Sequence, residues 1–185
     1  MLIMLDRDGV INQDSDEYIK SPHEWHAIEG SLKAIAQLNR AGFKIVVVTN
    51  QSGVGRGLFS KQTLNKIHEK MKHKLAAFQG HIDGIYVCPH RPEEQCHCRK
   101  PNIGLLQKVK QKYPANFQHS IFIGDTIKEI QAANAMGCHP MLVRTGKGGK
   151  TLQQYPELKK TVPVYANLKE AVSAILKKKH INHLS

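Results

Sequence analysis

Four side chains at separate points of the chain could together transfer a phosphoryl group: Asp6, Asp8, Lys100 and Asp125. A carboxylate can attack phosphorus only where a cation cancels the repulsion between two anions. Mg2+ suits that task, because it takes oxygen ligands and keeps waters and a substrate phosphate in its shell. Asp6 and Asp125 can supply two carboxylate ligands and the backbone carbonyl of Asp8 a third. The Asp8 side chain is then free to protonate a leaving alcohol and later to take a proton from the attacking water. Gly9 permits the sharp turn that would bring the Asp8 carboxylate beside Asp6. Thr49 and Asn50 offer a hydroxyl, an amide and backbone N–H groups to phosphoryl oxygens. Lys100 precedes Pro101 and is therefore held extended; it is a candidate to neutralise Asp6 and the phosphoryl group.

Each of these residues also has an ordinary structural explanation: an Asp-rich turn, a strand-end hydroxyl, a solvated lysine. Their placement is what unites them. Apolar runs alternate with amphipathic stretches along the chain. Strands are predicted at Leu2–Leu5, Lys44–Thr49, Ile82–Val87, Ser120–Ile123 and Pro140–Val143. Helices are predicted at Ser31–Ala41, after the cap Ser60 (apolar stripe Leu64, Ile67, Met71, Leu75 and Phe78), and at Ile103–Lys112, Thr126–Met136 and Ala166–Lys178. After Lys44 the run KIVVVT (44–49) is continuously β-branched, as in a strand buried on both faces. Alternating strands and helices predict an α/β, three-layer, Rossmann-like parallel sheet with helices on both faces. Ligands in such folds bind beyond the carboxyl ends of the strands. Asp6, Thr49 and Asp125 all fall there. The glycine-rich stretch GKGGK (146–150) lacks P-loop spacing and reads as flexible surface.

A second cluster is local. Cys88-Pro89-His90 and Cys96-His97-Cys98 place three thiols and an imidazole within eleven positions. Cys88, His90, Cys96 and Cys98 match a closed, structural Zn2+ site. His97 points out of the Cys-x-Cys hairpin and is not expected to ligate. Such a zinc would stiffen the loop that leads into Arg99 and Lys100. Cys138 reads as a buried free thiol.

The chain has 185 residues, enough for one domain with a sizeable core over 1–185 and too few for two. Lys and Arg number 27 against 15 acids, a formal +12 that attracts anions or simply solvates the surface. The basic residues are scattered, and Lys177–Lys179 reads as a frayed helix end. No apolar run is long enough to span a membrane. The apolar opening Met1–Leu5 meets Asp6 at once, without the features of a secretory leader. The expectation is a cytoplasmic protein with no membrane partner.

The ordered set Asp-x-Asp, strand-end Thr49, Lys100 and Gly124-Asp125, with Glu129 four residues on, resembles the haloacid dehalogenase-like phosphatase superfamily. DRDGVIN (6–12), TNQSGVGRG (49–57), CPH…CHCRKP (88–101) and LVRTGKG (142–148) narrow the likeness to its D-glycero-D-manno-heptose-1,7-bisphosphate 7-phosphatase family. The resemblance implies Asp6 as nucleophile and Asp8 as acid and base. It implies Thr49, Asn50, Gln51 and Ser52 on the phosphate, Arg99 on the substrate and Lys100 on the phosphoryl group. It implies Mg2+ on Asp6, Asp8 and Asp125, and sugar contacts from Asp14 through Tyr18. The substrate would be a small sugar phosphate feeding lipopolysaccharide or S-layer heptose synthesis. With little chain between the motifs, no cap domain fits, and a monomer is expected. Three other readings stay open here: a histidinol-phosphate phosphatase, a nucleic-acid 3′-phosphatase, which the +12 charge keeps open although nucleic acid is not the expected partner, and a zinc-stabilised binding module without activity.

Overall fold

A computed structural model describes residues 1–114 and 117–181; the end of the expected 1–185 unit lies outside the described residues. In chain order the elements are β1 (Leu2–Leu5), α1 (Ser31–Arg40), β2 (Lys44–Asn50), α2 (Ser52–Gly55), α3 (Lys61–Ala76), β3 (Gly84–Cys88), α4 (Gly104–Lys112), β4 (Ile121–Gly124), α5 (Ile127–Met136), β5 (His139–Val143), α6 (Gly148–Gln154), α7 (Leu158–Thr161), β6 (Val164–Tyr165) and α8 (Leu168–Ile181). The six strands form one sheet in the order β3-β2-β1-β4-β5-β6, and every neighbouring pair is parallel.

Side chains alternate across the central strands and build two apolar layers. Ile3, Leu5, Ile45 and Val47 pack with α1, α3 and α8. Leu2, Met4, Val46 and Val48 face the other way, onto Leu105, Leu106 and Val109 of α4 and Ala132 and Ala133 of α5. The expected three-layer arrangement is therefore present. The chain winds outward from β1 to β3, then crosses back to β4 on the other side of β1. That reversal opens a crevice beyond the carboxyl ends of β1, β2 and β4.

Several boundaries differ from the sequence reading. Phe78 is not on the stripe of α3: the helix ends at Ala76 and Phe78 is exposed. The third strand starts at Gly84, not Ile82. The last helix runs on to Ile181, and Lys179 is not frayed: it donates to the Ala41 carbonyl and lies 5.0 Å over the Phe43 ring. The stretch GKGGK is exposed at Gly146, Lys147, Gly149 and Lys150, as expected of surface, but it is not a loop throughout: Gly148 starts α6 and is buried so close to Val143 that a Cβ would meet its carbonyl oxygen at 1.8 Å. Among the described residues no helix is long and apolar enough to cross a membrane.

Candidate active site

Asp6 leaves β1 with its amide bonded to the Ile123 carbonyl of β4 at 3.0 Å. Asp125 stands directly after β4. Lys100 is fully buried beneath them, and its three donors are all committed: to Asp6 Oδ2 at 3.0 Å, to Glu129 Oε1 at 2.9 Å and to the Val48 carbonyl at 2.8 Å. Asn50 fixes that lysine's backbone from both sides, donating to its carbonyl and accepting from its amide, each at 3.1 Å. Glu129 uses its second oxygen to close a capping box on Thr126 at the start of α5, with bonds of 3.0 and 2.6 Å. A side chain that caps the helix thus also anchors the lysine.

Asp6, Asp125 and Glu129 bring carboxylate oxygens within 4.8 Å of one another. One ammonium does not balance three carboxylates. Burial, with Asp6 and Glu129 adding repulsion, pushes the Asp125 carboxyl up to about 8. Burial likewise pushes Asp6 up to about 6, although Lys100 pulls the other way. An oxygen-lined site with uncompensated negative charge fits a hard divalent cation. Glu129 spends its oxygens on Lys100 and Thr126; Asp6 accepts from the Arg7 amide on Oδ1 at 2.7 Å and from Lys100 on Oδ2, and Asp125 accepts from the Lys147 amide on Oδ2, so a cation held by Asp6 and Asp125 would share oxygens that already accept hydrogen bonds.

Asp8 points elsewhere. Its carboxylate accepts from Arg7 Nε (3.0 Å) and Nη2 (2.8 and 2.9 Å), from Asn12 Nδ2 (2.8 Å) and from Gln51 Nε2 (2.7 Å). Burial alone would raise its pKa, but the Arg7 guanidinium and these hydrogen bonds outweigh it and hold the group below the usual carboxylate range. Gln51 also donates to Thr49 Oγ1 at 3.0 Å. Asp6, Asp8, Asp14, Tyr18, Thr49, Asn50, Gln51, Ser52, Arg99 and Asp125 all line one pocket, with Lys100 under its floor. Tyr18 holds a φ of 65°, a left-handed conformation that a non-glycine residue adopts only where its surroundings enforce it.

The cysteine loop is equally well drawn together. Cys88 Sγ lies 3.0 Å from Cys98 and 3.5 Å from Cys96; Cys96 and Cys98 are 3.5 Å apart, and His90 Nδ1 is 3.2 Å from Cys98. Sulfurs this far apart are not bonded as disulfides, which need about 2.05 Å. Tetrahedral ligands at zinc distances stand about 3.3–3.8 Å from one another; the donors here are drawn together at 3.0–3.5 Å, slightly closer than that, and three thiols with one imidazole are the donor types that metal takes. Burial and the neighbouring Cys98 raise the Cys88 thiol far above its usual value, and crowded thiols of this kind ionise together only around a cation. His97 is exposed and outside the cluster, and Cys138 is buried with its thiol on the Ala133 carbonyl.

Known proteins share this architecture. The family model described as Polynucleotide kinase 3 phosphatase matches residues 2–178. The D-glycero-β-D-manno-heptose-1,7-bisphosphate 7-phosphatase of Bordetella bronchiseptica is 50% identical over 153 residues, covering 83% of this chain and 86% of that one. The enzyme of the same name from Pseudomonas aeruginosa is 41% identical over 175 residues, 95% of this chain and 97% of its own. The chain belongs to this phosphatase family. A crystal structure of the B. bronchiseptica D,D-heptose 1,7-bisphosphate phosphatase, complexed with magnesium and phosphate, superposes with a TM-score of 0.92 at 46% identity, over 96% of this chain and 98% of that one.

Family membership leaves several residues for the structure to place. The sequence by itself gives no role to Arg7, Asn12 or His68, yet Arg7 and Asn12 hold Asp8 directly and His68 stands behind Arg7. Lys147 lies in the GKGGK stretch just before α6; its amide donates to Asp125 Oδ2 at 2.7 Å and its ammonium lies 3.3 Å from Asp14 and 3.6 Å from Asp16. Thr145 Oγ1 bonds the Gly9 carbonyl, and Thr151 Oγ1 bonds the Asp125 carbonyl. Gly9 and Gly146 pack against each other and against Asp125. A Cβ on Gly146 would stand 2.3 Å from Asp125 Oδ2 and 2.4 Å from the Gly9 Cα, at a φ of +58°. Gly146→Ala should therefore displace the Asp125 carboxylate and weaken Mg2+ binding at least about tenfold, a cost of about 1.4 kcal/mol. Titration calorimetry with Mg2+ checks this; an unchanged affinity would mean that Asp125 is not a ligand.

Proposed function

We propose that the protein hydrolyses the C7 phosphate of D-glycero-β-D-manno-heptose 1,7-bisphosphate through an aspartyl-phosphate on Asp6. The observation that carries this reading is the Lys100 bridge between Asp6 and Glu129 beside Asp125. It leaves a partly buried carboxylate at the pocket floor, next to a cation and oxygens placed to ligate a metal. The relatives at 41–50% identity support the choice of substrate over a nucleic-acid end or histidinol phosphate.

In the first half-reaction an Asp6 oxygen attacks phosphorus, and the bond from phosphorus to the sugar oxygen breaks. The electron pair stays on that oxygen, which takes a proton from Asp8. In the second, Asp8 accepts a proton from water, and the resulting hydroxide attacks phosphorus and breaks its bond to Asp6, releasing inorganic phosphate. Asp8 is held ionised in the resting site, so it is ready as the base. To act first as the acid it must gain a proton as the substrate's negative charge enters. Thr49, Gln51 and Ser52 face the phosphoryl oxygens, while Asn50 keeps Lys100 aimed. Mg2+, held by Asp6, the Asp8 carbonyl and Asp125, would offset charge on the phosphoryl oxygens.

A bisphosphate brings a second anion. Arg99 and Lys128 both line the pocket, and burial with the Arg99 charge beside it lowers the proton affinity of Lys128. A wall with surplus positive charge suits the distal phosphate, and Asp14 and Tyr18 suit the sugar hydroxyls. Zn2+ on Cys88, His90, Cys96 and Cys98 is structural in this reading. The protein would act as a cytoplasmic monomer of one domain, 1–185, with no cap over the site.

Phosphate release from the heptose bisphosphate, histidinol phosphate and a 3′-phosphorylated oligonucleotide tests the assignment. The heptose ester should be turned over at least about 100-fold more efficiently than the others, a difference of about 2.7 kcal/mol in transition-state binding. Release from only the other two would refute it.

A further inference from the structure

Arg7 carries its charge with no exposure to solvent, so each of its donors needs an acceptor. Nε and Nη2 are spent on Asp8. On the far side, Nη1 lies 3.3 Å from Nε2 of His68, on α3 and 61 residues away in the chain. A guanidinium only donates and does not lose its proton. His68 must therefore present Nε2 as a lone pair and carry its own proton on Nδ1. His68 is buried as well, and burial with the Arg7 charge pushes it down to about 4, which keeps the ring neutral.

We propose that His68 is a positioning residue for the acid/base group: it braces the Arg7 guanidinium from behind, and the guanidinium sets where Asp8 points. The inference rests on the role given to Asp8 above. Its geometric basis is one-sidedness. Asn12 and Gln51 each give Asp8 a single bond, whereas Arg7 gives it three contacts from one rigid plane. That plane is fixed only if its opposite edge is also satisfied. With the acceptor gone, a buried N–H of Arg7 is left unpaired and the guanidinium turns to find another partner. The two-point grip on Asp8 then loosens, while Asp6, Lys100 and Asp125 keep their partners.

Proton donation matters for a sugar alkoxide, a poor leaving group, and hardly at all for p-nitrophenolate. First-turnover release of the alcohol from the sugar bisphosphate and from p-nitrophenyl phosphate therefore separates positioning of Asp8 from a general structural effect. For His68→Leu we expect sugar release to fall by about 10- to 100-fold, with p-nitrophenol release within about threefold and KM within about twofold of the parent. His68→Gln, whose amide oxygen can accept from Nη1, should recover most of the loss. Should His68→Leu fail to fold, His68→Asn, too short to reach Arg7, carries the same expectation. Equal losses on both substrates, or no loss on either, would overturn the proposal. Asp8→Asn is the control. It should show the same selectivity more strongly; if it spares the sugar ester, the role of Asp8 fails and the inference with it. If Asp8→Asn is selective and His68→Leu is not, only the inference fails.

Discussion

Asp6→Asn should abolish phosphate release, by at least about 10^4-fold, while leaving the protein folded. The size of the loss follows from the chemistry: an amide forms no acyl-phosphate, and removing a covalent nucleophile from a working constellation typically costs at least that much. The folded state should survive because the amide is nearly isosteric and because Lys100 keeps two of its three acceptors, Glu129 and the Val48 carbonyl. Burial already disfavours charge on Asp6, so the neutral residue removes an unfavourable term. Steady-state phosphate release and a melting curve check this together. Substantial turnover in a folded Asp6→Asn protein would mean that water attacks phosphorus directly.

Removing zinc should have the second largest effect, and it should act on stability and substrate affinity at once. Cys88 ends β3, where it pairs with Asn50 of β2, and Cys98 stands two residues before Lys100. The cluster thus ties the sheet edge to the loop that carries Arg99 and Lys100, and Arg99 already donates to the His90 carbonyl at 3.2 Å. Structural zinc contributes about 10–16 kcal/mol in small peptides. In a sheet with two apolar layers only part of that depends on one loop. A loss of about 3–5 kcal/mol, at roughly 2–4 °C per kcal/mol for a chain of this size, lowers Tm by about 10 °C. KM should rise at least about tenfold, because Arg99 and the Lys100 backbone lose their support. Chelation with the zinc content verified by elemental analysis, followed by melting and kinetics with Mg2+ restored, measures both. Unchanged melting after verified removal would show that the cluster does not brace this loop.

The parts of the site legible in the sequence are those whose signal is local. The cysteine–histidine cluster is readable because Cys88, His90, Cys96 and Cys98 lie within eleven positions, at a spacing that matches a known zinc coordination pattern. Asp6, Thr49 and Asp125 are readable because each follows a continuous apolar run, and strand ends of a parallel sheet converge. The rest depends on distant residues. Nothing near Arg7 in sequence says that it turns inward, since its rear partner lies on α3. The GKGGK stretch misleads for a different reason. Glycine in sequence reads as freedom, but at Gly146 it answers a close approach to Asp125 and Gly9, which becomes visible only once β1, β4 and the loop after β5 are assembled. Glu129 lies between these cases. Its place four residues after Asp125 is legible in the sequence, while its double duty on Thr126 and Lys100 exists only in the fold.

The central claim is that a phosphoryl group rests on Asp6 during turnover. Mixing the enzyme and Mg2+ with the heptose bisphosphate, quenching in acid within the first turnover and mapping the modified peptide by mass spectrometry tests it most directly. One acid-stable, base-labile phosphoryl group is expected on Asp6, forming no slower than phosphate is released. Turnover at full rate with Asp6 unmodified at every time point, or with the label on another residue, would contradict it.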